Sequence, residues 1–401
     1  MNESYEPKRV LRVLNRFNVG GPTYNATYLT KYLSPEYETI LIAGNKLESE
    51  SSSEFILEKY KIKYKIIKSM NRSLNLFKDI MSLIEIIKII KDFKPDIVHT
   101  HASKSGAIGR IAGIMCGVPI IVHTFHGHVF HSYFGKVKTM FYIFLERLLA
   151  KKSSAIVSIS KLQKQELIND FKICSPNKMH VINLGFDLKR FADDGSKRRQ
   201  FRSEFNLSDE VVAVGIIGRI TLIKDHKFFV DVINNIKSKT RKELKFFIIG
   251  DGEETENIKN YIIEKGLSYS EKNENICKEK LIHFASWRQD MENVYAGLDI
   301  VSLTSKNEGT PVTLIEAQAS SKPVISTNVG GVSDIMKHNI TGYISEVNNL
   351  EDYSANLIKL IENKNKRVLM GNEGYAFSNA NFSYKRLVSN MNELYKSLEK
   401  H

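Results

Sequence analysis

The sequence is poor in cysteine and has no long apolar run. Its three cysteines, Cys116, Cys174 and Cys277, lie far apart and form no Cys-x-x-Cys pair. Because their number is odd, a disulfide framework is disfavoured and a reducing compartment fits better. The first fifteen residues lack the apolar stretch of a signal peptide, and no window reaches the roughly 20 apolar residues that span a bilayer. These absences predict a cytoplasmic protein without a membrane span.

Motifs that bind nucleotide cofactors or metals are also absent. The chain has no Gly-x4-Gly-Lys-Ser/Thr loop, and no Gly-x-Gly-x-x-Gly opens a helix, so ATP hydrolysis and nicotinamide chemistry are disfavoured. The glycines of 106–113 have another spacing, which indicates close packing of a helix. No His-Glu-x-x-His helix is present. We therefore expect neither a cofactor nor a resident metal.

Positive charge is in excess, with 58 lysines and arginines against 45 acidic residues and a formal net charge of +13. Such an excess points to a polyanionic partner, which could be a nucleic acid, an anionic lipid or a phosphorylated small molecule. The lysines are dispersed, however, whereas a nucleic-acid-binding surface needs clustered basic and aromatic residues. We expect no nucleic-acid partner, and binding of DNA or RNA remains the alternative from a different functional class.

The chain alternates short apolar runs with segments of helical period. In the first half the apolar runs predict strands at 10–17, 37–44, 96–101, 119–127, 155–160 and 179–185. The pattern restarts and predicts strands at 211–220, 244–252, 280–286, 298–305 and 322–328. Near-continuous Val/Ile strands separated by helices indicate parallel sheets covered on both faces. The prediction is an α/β protein with two doubly wound, Rossmann-like domains, whose ligands bind in loops at the carboxyl ends of the strands.

At 401 residues the chain is long for a single core, which favours two domains. The charged stretch 191–205 has a turn-like composition and separates the two series of strands. We therefore place an N-terminal domain at 1–193 and a C-terminal domain at 194–380. The last segment, 381–401, has a helical pattern of its own.

The most specific stretch of the sequence reads EGTPVTLIE. Glu308 lies at the end of an apolar strand, Gly309 and Thr310 form a turn, and Pro311 suits the first turn of a helix. The free amides of a helix start favour an anion such as a phosphate or diphosphate. Glu316 follows along the same helix. This layout of two carboxylates beside an anion site would suit a sugar and a ribose that are bridged by a diphosphate.

This block and four others resemble the large retaining glycosyltransferase family of the family-four type, which has the GT-B fold and uses nucleotide-activated sugars. The family's signature is two glutamates separated by seven residues, as in EGTPVTLIE. NVGGPTYNATYL is similar to its N-terminal glycine loop, GRITLIKDHKFFV to its Gly-Arg block with a following lysine, IIGDGEE to its Gly-Asp-Gly turn, and VINLGFDLKRF to the start of its interdomain linker. The chain also lacks Asp-x-Asp, by which the other major glycosyltransferase fold holds a metal. The resemblance covers essentially the whole chain. Within the family, the chain resembles the bacterial glycosyltransferases of capsular and surface-polysaccharide synthesis.

The resemblance implies a role for each residue of these motifs. Glu308 would contact hydroxyls of the donor sugar near the reacting centre, and Glu316 would hydrogen-bond the ribose. Arg219 and Lys224 would neutralise the donor diphosphate, which two fixed cations can do without a metal. The other expected donor contacts are Gly20, Gly21, Gly309, Thr310 and Pro311.

The resemblance also implies a division of labour between the two domains. The N-terminal domain would bind the acceptor and the C-terminal domain the donor, with the reaction in an interdomain cleft. The helical segment 381–401 would cross back to the first domain. One departure is Leu184, where the family often has Asn, and no implied role depends on it.

The stretch HTFHGHVFH places four histidines within nine residues. Imidazoles are common zinc ligands, but no nearby cysteine or carboxylate supports a metal site. His123 falls within an apolar strand and suits a buried, hydrogen-bonded position. His126 comes at the end of that strand and matches the family's histidine that faces the donor sugar, so we predict that it is catalytic. For His128 and His131, contact with an acceptor and simple solvation are both open.

The segment 131–154 combines Tyr, Phe, Leu and Lys at partly helical spacing. An interfacial helix on anionic lipid and a core-facing helix with a basic outer edge both fit this pattern. The net positive charge favours the first alternative, which predicts peripheral contact at the cytoplasmic face of the inner membrane. Such contact would suit a lipid-linked acceptor.

The sequence thus predicts a retaining, metal-independent glycosyltransferase. It would move a hexose from a nucleoside-diphosphate sugar, a UDP-sugar by resemblance, to an unknown glycan or lipid-linked acceptor. A nucleotide-sugar epimerase or hydrolase on the same scaffold is the alternative among enzymes, and it would turn over the nucleotide-sugar without an acceptor. Both a same-face substitution and a covalent intermediate on Glu308 are open as mechanisms.

Overall fold

The computed structural model describes residues 6–18, 21–45, 52–71, 75–127, 135–192, 195–271 and 280–400. The chain divides into two compact units. Unit 1 comprises Met1–Phe186 and Phe382–His401, and unit 2 comprises Asp187–Asn381. The C-terminal segment therefore packs with the first unit, although the chain passes through the whole of unit 2 before it.

The strands, in chain order, are β1 (Lys8–Arg16), β2 (Tyr37–Gly44), β3 (Tyr64–Ile67), β4 (Ile97–His101), β5 (Ile120–Phe125), β6 (Ala155–Ser158), β7 (Met179–Val181), β8 (Val212–Ile217), β9 (Leu244–Ile249), β10 (Tyr269–Glu271), β11 (Ile282–Ser286), β12 (Ile300–Leu303), β13 (Val324–Thr327) and β14 (Gly342–Ser345). The helices are α1 (Gly21–Tyr32), α2 (Glu54–Lys59), α3 (Leu76–Phe93), α4 (Ser103–Met115), α5 (Lys136–Lys152), α6 (Lys161–Gln165), α7 (Ser196–Glu204), α8 (His226–Ile236), α9 (Thr255–Glu264), α10 (Met291–Gly297), α11 (Val312–Ala319), α12 (Val332–Ile335), α13 (Leu350–Glu362), α14 (Lys364–Phe382) and α15 (Tyr384–Leu398). None of the helices within the described ranges is both long enough and apolar enough to cross a membrane.

Unit 1 is built on one parallel sheet with the strand order β3-β2-β1-β4-β5-β6-β7. The central strands β4 and β5 are buried along their whole length, because helices cover both faces of the sheet. Apolar side chains of α1 and α15 pack on one face, and those of α3 and α4 pack on the other. Helix α5 joins the second layer, where Ala150 packs against Phe125 and Ile156.

Unit 2 repeats the architecture with the strand order β10-β11-β9-β8-β12-β13-β14, again with all strands parallel. Its main apolar core lies between the sheet and the helices α8, α9 and α13. The prediction of an α/β protein with two doubly wound sheets is confirmed by these two strand orders.

The charged stretch 191–205 is not the extended turn that its composition suggests, because it contains helix α7. The side chains of Phe201 and Arg202 are buried. Phe201 packs edge-on against Phe247 of the sheet, and Arg202 pairs with Asp299 at 3.2 Å. These tertiary contacts stabilise a helix whose sequence is almost entirely polar.

The strand order reverses at one place in each sheet. In unit 1 the reversal lies between β1 and β4, and in unit 2 it lies between β8 and β12. Adjacent loops leave the carboxyl edge in opposite directions at such a position and open a crevice there. A ligand site is therefore expected at the loops that follow these four strands.

Candidate active site

The loops that follow β8 and β12 meet where the strand order of unit 2 reverses. The hydroxyl of Thr304, just after β12, lies 3.0 Å from the carbonyl oxygens of both Lys224 and Asp225 in the β8 loop and donates to them. The backbone amide of Lys306 donates to the carbonyl of Ile223 at 2.8 Å. Two loops that are distant in the sequence are thereby held together at the carboxyl edge of the sheet.

Lys224 and Glu308 form an ion pair at this junction. The Nζ atom of Lys224 lies 2.6 Å from Oε1 of Glu308, and the hydroxyl of Ser305 donates to the same oxygen at 2.6 Å. The two charged side chains are only 22% and 11% exposed. Because the pair is short, charge-assisted and largely withdrawn from water, its geometry is better defined than that of a surface pair. The crevice thus contains a fixed cation and a fixed carboxylate side by side.

The loop that carries Glu308 is longer than the sequence suggests. Strand β12 ends at Leu303, so Glu308 lies five residues beyond the strand and not at its end. Gly330, after β13, approaches the same loop so closely that a Cβ atom there would lie 1.7 Å from the carbonyl oxygen of Glu308, and its φ is +49°. Only glycine satisfies both conditions. The backbone after β13 therefore helps to set the position of Glu308.

Helix α11 begins immediately after this loop. Its first residue is Val312, so Pro311 precedes the first turn, one position earlier than predicted, and has extended backbone geometry. No side chain caps the helix, and the space that a Cβ atom of Gly309 would face is open. Thr310 lies between these two residues. Uncapped amides and the helix dipole favour an anion at this end of the helix.

Glu316 lies on α11, beyond its first turn. The fully buried Tyr295 donates a hydrogen bond from its hydroxyl to Oε2 of Glu316 at 2.9 Å. Burial raises the pKa of Glu316 to about 7, against the opposing effects of the Tyr295 bond and the charge of Arg190. The charge of Glu292 adds to the increase. A buried carboxyl group whose pKa is raised in this way is a candidate for a binding or catalytic site.

Arg219 follows β8 and points into solvent. Its side chain is 67% exposed, and its guanidinium lies 3.2 Å from the carboxylate of Glu253, whose side chain is 59% exposed. An exposed pair of this kind contributes little to stability. The guanidinium therefore loses little when it leaves Glu253 for an anionic ligand.

The predicted glycine loop of unit 1 is only partly described. Gly21 is the first residue of α1, which begins after β1 at the reversal of the strand order. Gly20 lies outside the described residues, as do His128 and His131.

His126 lies directly beyond β5 and is hydrogen-bonded to His101, the last residue of β4. The bond joins Nε2 of His126 to Nδ1 of His101 at 2.8 Å. Burial lowers the pKa of His126 to about 4, so its ring is neutral near pH 7. The remaining nitrogen, Nδ1, is buried and has no hydrogen-bond partner in the described part of the chain. An unpartnered imidazole nitrogen can form a hydrogen bond with a hydroxyl group that reaches it.

A buried basic network continues inward from this pair. The ring of His101 stacks on that of His99 with 4.3 Å between centroids. Arg12 donates from Nη1 to Nδ1 of His99 at 2.9 Å, and the hydroxyl of Tyr395 on α15 lies 2.6 Å from the same nitrogen. Because arginine only donates, Nδ1 of His99 accepts, and its Nε2 donates to Thr124 at 2.8 Å. Burial, aided by the charge of Arg12, holds the pKa of His99 well below its usual value.

His123, the histidine within β5, points to the face of the sheet opposite that of His99 and His101. It is fully buried and lies 2.8 Å from the hydroxyl of Thr100, which confirms the buried, hydrogen-bonded position predicted for it. Among the residues that the structure describes, no group of three or more histidine, cysteine or acidic side chains is arranged to hold a metal ion.

Sequence reasoning missed four residues that shape these sites. They are Ser305, which holds Glu308; Tyr295, which holds Glu316; Gly330, which supports the Glu308 loop; and His101, which holds His126. For His101 a signal exists, since a polar residue ends a buried strand beside another such strand. The other three contacts depend on how separate elements pack.

Comparison with known families gives two matches, one over most of each unit. Residues 19–190 match the family model described as Glycosyltransferase Family 4. Residues 197–377 match the model described as Glycosyl transferases group 1. The two matches include every site residue considered above except Tyr395 and Arg12.

Two curated relatives are similar along most of the chain. One is the UDP-Gal:alpha-D-GlcNAc-diphosphoundecaprenol alpha-1,3-galactosyltransferase of Escherichia coli, which is 29% identical over 330 residues and 82% of either chain. The other is the capsular polysaccharide biosynthesis glycosyltransferase CapM of Staphylococcus aureus, which is 27% identical over 337 residues, or 82% of this chain and 84% of CapM.

A solved structure with the same fold is that of HepE from Anabaena in complex with UDP. The two chains superpose with a TM-score of 0.80 at 16% sequence identity, over 97% of this chain and 100% of HepE. At that identity the likeness concerns the fold alone.

Proposed function

The chain is a glycosyltransferase that belongs to family 4 and has the GT-B fold, and we propose that it is a retaining enzyme that transfers a hexose from a UDP-sugar to a lipid-linked glycan. The Lys224–Glu308 pair carries this proposal. A departing diphosphate needs a cation, and a sugar that develops positive charge needs a carboxylate. The pair supplies both groups within 2.6 Å, where the strand order reverses.

The donor would bind along the carboxyl edge of unit 2. Lys224 and Arg219 would neutralise the diphosphate, since one is fixed by Glu308 and the other is held only by an exposed partner. The backbone at Gly309, Thr310 and Pro311 would bring phosphate oxygens to the uncapped start of α11. These five residues form the phosphate part of the proposed site.

The ribose would bind to Glu316. Glu316 lies beyond the first turn of α11, which suits the ribose because this sugar is the next group of the donor after the phosphates. The hydroxyl of Tyr295 donates to one carboxylate oxygen of Glu316 and keeps that oxygen in place. UDP is the nucleotide in the name of the E. coli relative's donor. This name supports uracil as the base in this chain's donor.

The transfer breaks the bond between the anomeric carbon and the β-phosphate oxygen and forms a bond from that carbon to the acceptor oxygen. The electron pair leaves with UDP, whose new charge Lys224 and Arg219 would stabilise. The proton of the acceptor hydroxyl passes to the departing phosphate oxygen on the same face, so the configuration is retained. Glu308 would stabilise the positive charge on the sugar ring without forming a covalent bond. His126 would hydrogen-bond a hydroxyl of the sugar through Nδ1.

The acceptor would be a sugar carried by a lipid diphosphate. The name of the E. coli relative specifies such an acceptor, and CapM belongs to capsular polysaccharide synthesis. Gly21, at the start of α1 where the strand order of unit 1 reverses, would allow the backbone to approach this substrate. Gly20 is proposed for the same role from the sequence alone.

Binding of a UDP-hexose is expected to strengthen about tenfold as the pH rises from 6 to 8. Ribose hydroxyls donate to an ionised carboxylate, and Glu316, with a pKa of about 7, is mostly protonated in the free protein at pH 6. The affinity for the UDP-hexose therefore increases in proportion to the ionised fraction of Glu316 as the pH rises through 7. Isothermal titration of UDP-galactose measures it, since the doubly esterified diphosphate of this ligand does not titrate in the same range.

The matched variants are Glu316→Gln and Glu351→Gln. The first removes the titrating group and is expected to bind weakly with no pH dependence, whereas the second removes an exposed carboxylate on α13 and is expected to behave as wild type. An affinity that stays constant from pH 6 to 8 in the wild type, or tight binding by Glu316→Gln, would show that Glu316 does not bind the ribose.

A further inference from the structure

The hydrogen bond between His101 and His126 can run in two directions. It joins Nδ1 of His101 to Nε2 of His126 at 2.8 Å, and a neutral imidazole carries its proton on one of its two nitrogens. If His101 donates, the proton of His126 is on Nδ1. If His126 donates, Nδ1 of His126 is bare, and Nε2 of His101 carries a proton. The direction of the bond therefore decides whether Nδ1 of His126 is a donor or an acceptor.

Both rings are neutral near pH 7. Burial lowers the pKa of His126 to about 4. Burial also lowers the pKa of His101 well below its usual value, and the charged groups that add to this effect are all basic: His99, His126, Arg12 and His123. The pair therefore carries two protons. One lies within the bond, and the other, which we call the outer proton, lies on Nε2 of His101 or on Nδ1 of His126.

The positive charge of Arg12 distinguishes these two positions. Arg12 is fully buried, and its Nη1 bonds the neutral ring of His99. Its Nε and Nη2 have no hydrogen-bond partner in the described part of the chain. The charge of Arg12 is among the causes that lower the pKa of His101, whereas burial alone lowers that of His126. Because a cation repels a proton, the outer proton is more stable on His126 than on His101.

The burial of the two rings favours the same arrangement. His101 is 1% exposed, and its Nε2 has no described partner. A proton on this nitrogen would be a buried donor without an acceptor, which is costly, whereas a bare nitrogen is stabilised by the nearby charge of Arg12. His126 is only partly buried and precedes the exposed Gly127. A donor on this ring is therefore the one that water or a ligand oxygen can approach.

We propose that His101 is a positioning residue that donates from Nδ1 to Nε2 of His126 and thereby places the proton of His126 on Nδ1. Nε2 of His126 is then occupied by His101, and Nδ1 has no lone pair to offer. Toward a ligand, His126 is a hydrogen-bond donor only.

This assignment has a consequence for the reaction, which rests on the proposed function. His126 would donate to an oxygen of the sugar or of the phosphate, and it could not remove the proton of the acceptor hydroxyl. A general-base role for His126 is thereby excluded. The departing phosphate oxygen remains the destination of that proton, as in the same-face substitution.

Nitrogen NMR on the full-length chain tests the assignment without donor or acceptor. Two-bond proton–nitrogen correlation spectra of protein labelled with ¹⁵N-histidine distinguish the two neutral forms of each ring. The signals that disappear in His126→Gln and in His101→Leu identify the two residues. At pH 7.5 both rings are expected to carry the proton on Nδ1, which is the less common form of histidine in water. The opposite direction of the bond would place it on Nε2 in both rings.

Two variants separate positioning from a merely structural role. His101→Leu removes the donor, so the ring of His126 is expected to change mainly to the form with the proton on Nε2, and sugar transfer to slow about tenfold. His101→Asn offers an amide N–H close to the position of Nδ1 and is expected to keep the Nδ1 form of His126 and a rate within about threefold of the wild type.

The control is His338→Gln, at an exposed position of unit 2, which is expected to leave both the spectrum of His126 and the rate unchanged. The melting temperature and the affinity for UDP, whose proposed contacts lie in unit 2, show that each variant is folded. UDP affinity is expected to stay within about threefold of the wild type in every variant at position 101.

A proton on Nε2 of His126 in the wild type would overturn the assignment, and so would a spectrum of His126 that does not change in His101→Leu. Wild-type turnover by His101→Leu, with the expected change in its spectrum, would overturn the role of His101 in the reaction. The expected spectra combined with a failure of sugar transfer by the wild type would leave the assignment intact and refute the proposed function.

Discussion

Glu308→Gln is expected to lower the rate of sugar transfer by about 10²–10³-fold and to leave the affinity for UDP within about threefold of the wild type. The substitution keeps the size of the side chain and removes its charge, so the sugar loses the carboxylate that stabilises its developing positive charge. UDP lacks the transferred hexose and does not contact Glu308 in the proposed site. Initial rates at saturating donor and titration of UDP measure the two quantities on the same preparation.

The contrast with Glu316→Gln makes this prediction specific. That variant is expected to lose affinity for UDP, whereas Glu308→Gln loses turnover, although both residues lie on one short segment. Glu351→Gln serves again as the remote control. Turnover of Glu308→Gln close to that of the wild type would remove Glu308 from the reacting centre, and a parallel loss of UDP affinity would make its role one of donor binding.

Unit 1 is expected to lose about 4 kcal/mol of stability when the pH falls from 7.5 to 5.5. Three histidines, His99, His101 and His123, are almost completely buried, and burial holds each pKa well below 6.5. In the unfolded chain they titrate near pH 6.5, so only the unfolded state takes up protons as the pH falls below that value. Each such group costs about 1.4 kcal/mol by pH 5.5, which in sum approaches the total stability of many domains.

The sign of this effect follows from the lowered pKa values. The contribution of these three groups to stability is complete well above pH 6.5 and is lost as the pH falls below it toward their lowered folded-state pKa values. Denaturant unfolding followed by circular dichroism from pH 7.5 to 5.5 gives the proton uptake, expected to be about two protons near pH 6. His123→Gln should lower this uptake, and His338→Gln, at an exposed position in unit 2, should not. Unfolding free energies that are flat over this range would contradict the buried, neutral cluster.

The fold was largely readable from the sequence because its central strands are fully buried. Runs such as those of β5 and β8 are continuous in Val and Ile and leave little ambiguity. Three edge strands, β3, β10 and β14, were not predicted. β3 and β10 are short and half exposed and lack a continuous apolar run. β14 is mostly buried, but it has only four residues, the first of which is glycine. Helix α7 was not predicted for another reason: its stability comes from Phe201 and Arg202, which pack on elements that are distant in the sequence.

The members of the candidate site were predicted one by one from the sequence, whereas their arrangement was not. Family motifs identify Lys224 and Glu308 separately, and the pairing of two residues that are 84 positions apart requires the strand order that places β8 beside β12. The bond from Tyr295 to Glu316 likewise depends on the packing of α10 near α11. The grouping of His101 and Arg12 depends on the register of β1, β4 and β5, which places both residues on one face of the sheet.

The central claim is that this chain transfers a hexose from a UDP-sugar to a lipid-linked acceptor. The most direct measurement incubates the purified protein with a radiolabelled UDP-hexose and a lipid diphosphate that carries one N-acetylhexosamine, and follows the label and the release of UDP. We expect at least one UDP-hexose to label the lipid product with retained anomeric configuration, in step with the release of UDP, and we expect a large loss of this labelling in Glu308→Gln. Consumption of the UDP-hexose without acceptor, or no reaction with any UDP-hexose, would contradict it.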